Sequence, residues 1–92
     1  MSKSEVRHNE ERGWYELEVE GATAITAYRR EGDILLFTHT EVPEEMEGQG
    51  IGGKLLAGAL AEVREKGLTI KPLCSFVRHY VETHPETQDL LA

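Results

Sequence analysis

The chain has 92 residues, a formal net charge of −7 and one cysteine. This length suits one small domain, with its core at about residues 5–85. The acidic excess argues against binding to nucleic acid or to an anionic membrane, because both require clustered lysine and arginine. No segment approaches the roughly 20 apolar residues of a membrane span, and no signal peptide opens the chain. We therefore expect a cytoplasmic protein, and the single cysteine excludes an internal disulfide.

The first half of the chain is typical of short strands joined by tight turns. The patterns predict strands at 6–9, 14–19, 24–28 and 33–42. Their regular spacing and glycine-containing turns predict an antiparallel meander. Residues 34–37 are apolar at every position, which predicts a central strand that is covered on both faces.

The second half of the chain changes to helical periodicity. A helix is predicted at about 50–66, because apolar residues recur at a spacing of three and four: Ile51, Leu55, Leu56, Ala59, Leu60 and Val63. A short strand at 68–71 and a second helix at 76–83 follow, and we expect the tail 86–92 to fray. The predicted fold class is therefore α+β, with the order β-β-β-β-α-β-α and one parallel strand pair joined through the long helix.

The most informative segment is a glycine-rich loop at 47–54, immediately before the long helix. Its glycines leave several backbone N–H groups unobstructed: Gly48, Gly50, Gly52 and Gly53. A helix N-terminus has free amide donors and a partial positive charge, so such a loop is suited to holding a phosphate group.

Two familiar phosphate motifs nearly match this loop, and we disfavour both. The spacing from Gly48 to Lys54 resembles a Walker A loop, but Leu55 stands where a serine or threonine must reach magnesium. The spacing also matches the dinucleotide fingerprint, which requires a strand immediately before the loop and a parallel sheet around it. Here residues 43–47 intervene, and the preceding strands are predicted to be antiparallel.

A third motif matches better. The pattern Glu47-x-x-Gly50-x-Gly52 resembles the pyrophosphate loop of the GNAT superfamily of acetyl-CoA-dependent N-acetyltransferases. The likeness extends to the segment Thr-His-Thr-Glu-Val-Pro at 38–43, to Pro-Leu-Cys at 72–74, to Phe76-Val77 and to His-Pro-Glu at 84–86. It covers about residues 14–88 and is most similar to the small, single-domain members. It implies a GNAT-like fold in which the two parallel strands splay apart.

This resemblance also implies a set of binding residues. The loop amides would hold the pyrophosphate of acetyl-CoA: Gly48, Gln49, Gly50, Ile51, Gly52 and Gly53. Lys54 could add a cationic contact, and the backbone of Glu41 and Val42 would pair with the pantetheine arm. Cys74 would lie near the thioester end. The implied co-substrate is acetyl-CoA, the acceptor is an unidentified amine, and no metal is implied.

Three side chains are candidates for the chemistry itself. His39 could act as a general base, since an imidazole titrates near neutral pH. Glu41 lies two residues further along the same strand face and could bind a cationic acceptor or serve as the base. Cys74 could accept an acetyl group, protonate the leaving thiolate or only pack, and His39 could have only a structural role. His8 and His79 are expected on the surface.

Two departures from the family pattern leave other functions open. Glu47 replaces the usual glutamine or arginine, which places a carboxylate near the expected pyrophosphate. Val81 stands where many members carry the tyrosine that protonates the leaving thiolate, and Tyr80 is one residue away. The alternatives to an acetyltransferase are a CoA- or acyl-CoA-binding module with little catalysis and a structural partner protein. A monomer and a homodimer are both compatible with the sequence.

Overall fold

The computed structural model describes residues 5–92, in which five strands form one mixed sheet. The strands are β1 (Arg7–Asn9), β2 (Trp14–Val19), β3 (Ala22–Glu31), β4 (Ile34–Glu41) and β5 (Thr69–Pro72). Their order in the sheet is the order of the chain. Strands β1 to β4 are antiparallel, and β4 pairs with β5 in parallel. The predicted α+β class is confirmed.

Two α-helices and two short 3₁₀ segments complete the structure. The helices are α1 (Ile51–Glu65) and α2 (Ser75–Thr83), and the 3₁₀ segments are Glu44–Met46 and Pro85–Leu90. The helices lie within about one residue of the predicted bounds. None of the helices in residues 5–92 is long and apolar enough to cross a membrane.

Both helices pack on the same face of the sheet. The buried residues of α1 form a single cluster with Val77 and Val81 of α2 and with one set of sheet side chains: Tyr15, Leu17, Ala24, Leu35, Phe37 and Ile70. Residues whose side chains point to the other face of the sheet, such as Leu36, are absent from this cluster. We therefore call the side that carries Leu36 the open face, because no helix within residues 5–92 packs there.

The prediction for β4 is confirmed. Strand β4 lies inside the sheet between β3 and β5, and Leu35, Leu36 and Phe37 are all buried. The helices cover only the face that carries Leu35 and Phe37, whereas Leu36 is buried on the open face. Sequence periodicity shows that both faces are apolar, but it does not show whether a helix or neighbouring side chains of the sheet provide the cover.

The prediction of a frayed tail was wrong. Leu90 is buried in the core, and Leu91 makes a parallel bridge to Ile70 beside β5. The guanidinium of Arg64 on α1 donates to both carboxylate oxygens of Asp89, at 2.6 and 3.0 Å. These contacts join positions about 20 to 25 residues apart, so no local pattern predicts them.

His8 is not a surface residue as expected. Only 13% of its side chain is exposed, and its ring stacks on Tyr15 with the centroids 4.2 Å apart. Its Nδ1 lies 2.7 Å from Oε2 of Glu62 on α1, and its Nε2 is hydrogen-bonded to the Tyr28 hydroxyl. The imidazole therefore connects β1 to the long helix.

Candidate functional site

Strands β4 and β5 separate after a short parallel ladder. Their last paired residues are Phe37 and Pro72. The N–H groups of Leu73 and Cys74 then both donate to the Phe37 carbonyl, at 3.0 Å each. Beyond this point β4 continues to Glu41 and is paired only with β3 among the described strands. One edge of β4 therefore faces a cleft, as the GNAT resemblance implied.

A β-bulge in β4 determines which side chains face this cleft. Tyr28 pairs with Phe37, and Ala27 pairs with His39, so Thr38 is the extra residue. An inserted residue reverses the alternation of side chains beyond it. Thr40 consequently shares the helix-covered face with Phe37 and Thr26, while His39 lies on the open face.

A pocket of about 800 Å³ lies where β4 ends and α1 begins. Its lining combines the end of β4, the glycine loop and the start of α2: Thr23, Thr40, Glu41, Val42, Pro43, Met46, Glu47, Gly48, Gly50, Ile51, Gly52, Gly53 and Phe76. Small-molecule sites in proteins typically enclose roughly 300–1,000 Å³. The volume of the pocket is therefore within the range of small-molecule sites.

The glycine loop presents free backbone donors to this pocket. Gly50 is the N-cap of α1, with a left-handed φ of 72° and no side chain that caps the helix. The first turn of α1 contains no acidic residue. The N–H groups of a helix's first turn have no acceptor within the helix, so the amides of Ile51, Gly52 and Gly53 remain available to an anion.

Gly52 is required for close packing at the mouth of the pocket. A Cβ at this position would lie 2.4 Å from Cζ of Phe76. The ring of Phe76 also lines the pocket and is partly exposed. The first turn of α2 therefore packs closely against the first turn of α1, and a side chain at position 52 would collide with the Phe76 ring.

His39 and Glu41 form a hydrogen-bonded pair on the open face. His39 Nε2 lies 2.9 Å from Glu41 Oε2, and both side chains are more than half exposed. The spacing of two residues along β4 places them on the same face, as expected. Glu41 lines the pocket, whereas His39 lies beside it.

Cys74 occupies the N-cap position of α2, with its thiol directed towards β4. Its Sγ lies 3.6 Å from Oγ1 of Thr40. Burial alone would raise the pKa of the thiol, but the Val77 amide, the Thr40 hydroxyl and the Phe76 amide outweigh it. The pKa of Cys74 therefore lies below its ordinary value, although neither amide makes a capping hydrogen bond to it.

No tyrosine takes the place of the usual proton donor. Val81 is buried in the core. Tyr80 stacks on His84 with the ring centroids 3.8 Å apart, and it lines a small hollow between α1, α2 and the tail. Burial raises the pKa of the Tyr80 hydroxyl. Tyr80 thus packs behind the glycine loop and does not line the pocket.

The charged residues that line the pocket are acidic. Glu41 and Glu47 are the charged residues in its lining, and no lysine or arginine of the described chain joins them there. Lys54 is exposed on the first turn of α1 and lies outside the lining. Residues 5–92 contain no group of three or more histidine, cysteine, aspartate or glutamate residues arranged to hold a metal ion.

The predicted catalytic and binding residues divide into two groups. Seven line the pocket: Glu41, Val42, Gly48, Gly50, Ile51, Gly52 and Gly53. Four lie outside its lining: His39, Gln49, Lys54 and Cys74. Gln49 is turned back onto the Glu45 carbonyl. Six further lining residues were not predicted as site residues: Thr23, Thr40, Pro43, Met46, Glu47 and Phe76. The quoted family segments contain Thr40, Pro43, Glu47 and Phe76 without assigning them to the site, whereas no pattern signalled Thr23 or Met46.

A family model agrees with this geometry. The model of GCN5-related N-acetyl-transferases matches residues 14–90, which is most of the chain. The matched segment includes the bulged strand, the glycine loop and both helices.

Two kinds of relative were also found. Protein NATD1 from Mus musculus is 32% identical over 88 residues, covering 92% of this chain and 80% of the relative. Protein NATD1 from Gallus gallus is 32% identical over 89 residues, covering 94% and 81%. The NMR solution structure of a GCN5-like protein from Staphylococcus aureus covers all of this chain and 91% of its own, with a TM-score of 0.74 and 32% identity.

Proposed function

The chain belongs to the family of GCN5-related N-acetyl-transferases, and from that premise we propose that it binds acetyl-CoA and transfers the acetyl group to an amine. The single observation that carries this proposal is the 800 Å³ pocket, which joins the free amides of α1 to the unpaired edge of β4. The acceptor is an amine of unassigned identity, either a small molecule or a protein group.

The pyrophosphate of CoA fits the start of α1. Its oxygens accept from the amides of residues 48–53, where the helix dipole favours negative charge. The absence of an acidic residue from the first turn and of a capping side chain supports this assignment. Glu47 opposes it, so its carboxylate must turn to solvent when the ligand binds.

The pantetheine arm fits along the unpaired edge of β4. Backbone groups of Glu41 and Val42 lie at the pocket wall and are available to pair with the amides of the arm, in the manner of an added strand. Along this path the arm runs from the glycine loop towards the point where β4 and β5 separate. At that end of the cleft, Cys74 contacts Thr40.

The chemistry assigned to this end of the cleft is direct transfer. The amine nitrogen attacks the thioester carbonyl, the new C–N bond forms and the C–S bond breaks. His39, oriented by Glu41 at 2.9 Å, takes a proton from the attacking amine. The thiol of Cys74 gives its proton to the departing CoA thiolate. Holding the thioester and the amine next to each other lowers the activation barrier further.

One observation favours a second candidate, a CoA- or acyl-CoA-binding module with little catalysis. The usual tyrosine acid is replaced by Val81, which is buried. Turnover separates the two functions, since both require CoA to bind in the same pocket.

The deciding experiment is isothermal titration calorimetry with acetyl-CoA, CoA and ATP, followed by measurement of CoA release in the presence of amines. Gly50→Asp is the informative variant because it places a carboxylate at the N-cap, at a left-handed φ of 72°. Gly67→Asp is the matched control, since Gly67 has a φ of 70° after the far end of α1. We expect micromolar binding that is lost only in Gly50→Asp. Absence of binding to the parent chain would refute both functions.

A further inference from the structure

Three side chains form a continuous chain of contacts at the inner wall of the cleft. Oγ1 of Thr26 lies 2.9 Å from Oγ1 of Thr40, which in turn lies 3.6 Å from Sγ of Cys74. The residues come from β3, β4 and the N-cap of α2, so the contacts join the two sides of the divergence between β4 and β5. Thr26 is fully buried, although its side chain is polar.

We propose that Thr40 and Thr26 are positioning residues, whose hydroxyl groups hold the Cys74 sulfur at the cleft and reverse their hydrogen bonds when that sulfur changes its protonation state. A hydroxyl provides one donor and can accept through its oxygen at the same time. A pair of hydroxyls in series can therefore transmit a change of donor direction without movement of the heavier atoms.

The two states of the relay differ only in where the hydrogens point. With a neutral thiol, Cys74 donates to the Thr40 oxygen, and Thr40 donates to Thr26. With a thiolate, Thr40 donates to the sulfur, and Thr26 donates to the Thr40 oxygen. Hydrogen bonds to a charged acceptor are stronger than those between neutral groups, so the relay favours the thiolate.

The bulge at Thr38 makes the relay possible. Without the extra residue, Thr40 would alternate onto the open face, away from Thr26 and Cys74. Thr26 in turn supports Thr40, because it supplies a buried donor on the side opposite the sulfur. The relay therefore depends on the register between β3 and β4 as well as on the identity of the residues.

The kinetic consequence of the relay rests on the proposed function. When CoA leaves, the S–H bond of Cys74 breaks, the proton moves to the CoA sulfur, and the resulting Cys74 thiolate is received by the Thr40 hydroxyl. The protonation behaviour of Cys74 itself can be measured without CoA, on the chain alone.

The test is the rate of alkylation by iodoacetamide between pH 5.5 and 10, followed by intact mass. Cys74 is the only cysteine in the chain, so the first, fast adduct reports on this thiol. Thr40→Val removes the donor at nearly constant volume, and we expect the midpoint of the pH–rate profile to rise by about one unit. Thr26→Val should raise it by less. Thr40→Ser should keep the midpoint of the parent chain.

Thr83→Val is the matched control, since Thr83 is exposed at the far end of α2 from Cys74 and the same substitution there should leave the profile unchanged. Circular dichroism of each variant checks the fold. If Thr40→Val does not fold, the relay is tested by the other two variants. Thr26→Val should then raise the midpoint of the pH–rate profile, and Thr40→Ser should keep the midpoint of the parent chain. If Thr40→Val and Thr26→Val fold and have the same midpoint as the parent chain, the relay is overturned, whatever the acetyl-CoA titration gives. A raised midpoint without acetyl-CoA binding would instead refute the proposed function alone.

Discussion

The ring of Phe76 occupies the space that a side chain at Gly52 would need. A Cβ on Gly52 would approach Cζ of Phe76 to 2.4 Å and Cε2 to 3.0 Å. Gly52 lies in the first turn of α1 and Phe76 in the first turn of α2, and both line the 800 Å³ pocket. This contact therefore links the end of the pocket that we propose for the phosphates to the helix that carries Cys74.

The contact can be tested by a double-mutant cycle in which acetyl-CoA affinity is measured. Gly52→Ala requires the Phe76 ring, which lines the pocket, to shift, so we expect affinity to fall by about tenfold, as when a tightly packed site is overfilled. Phe76→Leu alone should have a smaller effect. The double variant should recover most of the affinity lost in Gly52→Ala, since the smaller side chain makes room for the new methyl group.

Gly53→Ala is the control for the cycle. A Cβ at Gly53 meets only the edge of Tyr80 at 3.9 Å, which is an ordinary contact. Equal losses in Gly52→Ala and Gly53→Ala, or additive effects in the double variant, would show that the Phe76 ring is not what excludes a side chain from position 52.

Glu47 should weaken the affinity for CoA. Its carboxylate lines the pocket next to the amides assigned to the pyrophosphate, and like charges repel. Glu47→Gln should therefore bind acetyl-CoA about two- to fivefold more tightly at low salt, with a smaller gain at high salt because the site is exposed. Glu44→Gln is the matched control, since Glu44 is exposed on the preceding 3₁₀ segment and does not line the pocket.

His39 should affect turnover rather than binding. It lies on the open face beside the pocket, paired with Glu41 at 2.9 Å. His39→Gln should lower kcat by roughly 10²-fold, within the usual range for loss of a general base, and leave the Kd for acetyl-CoA unchanged. The assay is CoA release with a panel of primary amines that includes lysine peptides and polyamines. An unchanged kcat would remove His39 from the mechanism.

The sequence predicted the elements of the site better than their relative orientation. Local patterns sufficed for the glycine loop, for α1 and for the shared face of His39 and Glu41. They did not indicate the bulge at Thr38, because a bulge depends on the register between β3 and β4. Without it, Phe37, His39 and Glu41 would share one face, and Thr40 would not have reached Cys74.

The remaining errors also concern contacts between distant parts of the chain. His8 appeared to be an ordinary polar residue of an edge strand, but its partner Glu62 lies more than fifty positions away. The tail is short, yet Arg64 holds it through Asp89, 25 positions away. Periodicity and capping signals describe neighbours along the chain, so neither contact could be predicted from them.

The docked tail leads to a stability prediction. Leu90 is 5% exposed and joins the core, whereas its neighbour Leu91 is 42% exposed. Leu90→Ala should lower the free energy of unfolding by about 2–4 kcal/mol, the usual loss for a buried leucine. Leu91→Ala should lower it by less than about 1 kcal/mol. Urea denaturation measures both, and equal losses would show that the tail does not contribute its buried leucine to the core.

The contact between β1 and α1 leads to a pH-dependent prediction. Burial alone would raise the pKa of Glu62, but the ammonium of Lys66 at 2.9 Å and the imidazole of His8 at 2.7 Å outweigh it. The pKa of the folded state therefore lies below the ordinary carboxyl value. A group with a lowered folded pKa stabilises the fold above its unfolded pKa, and this stabilisation is lost as the pH falls through the folded pKa.

Glu62→Gln should accordingly lower the free energy of unfolding by about 1 kcal/mol at pH 7, since the carboxylate is partly exposed and its pairing is screened. As the pH falls from 7 to 3, towards and through the lowered folded pKa, the difference in stability between the two proteins should shrink. Glu65→Gln, at an exposed position on the same helix, should match the parent chain at both pH values. A difference between Glu62→Gln and the parent chain that is the same at pH 7 and pH 3 would mean that packing, and not the charge of Glu62, holds β1 against α1.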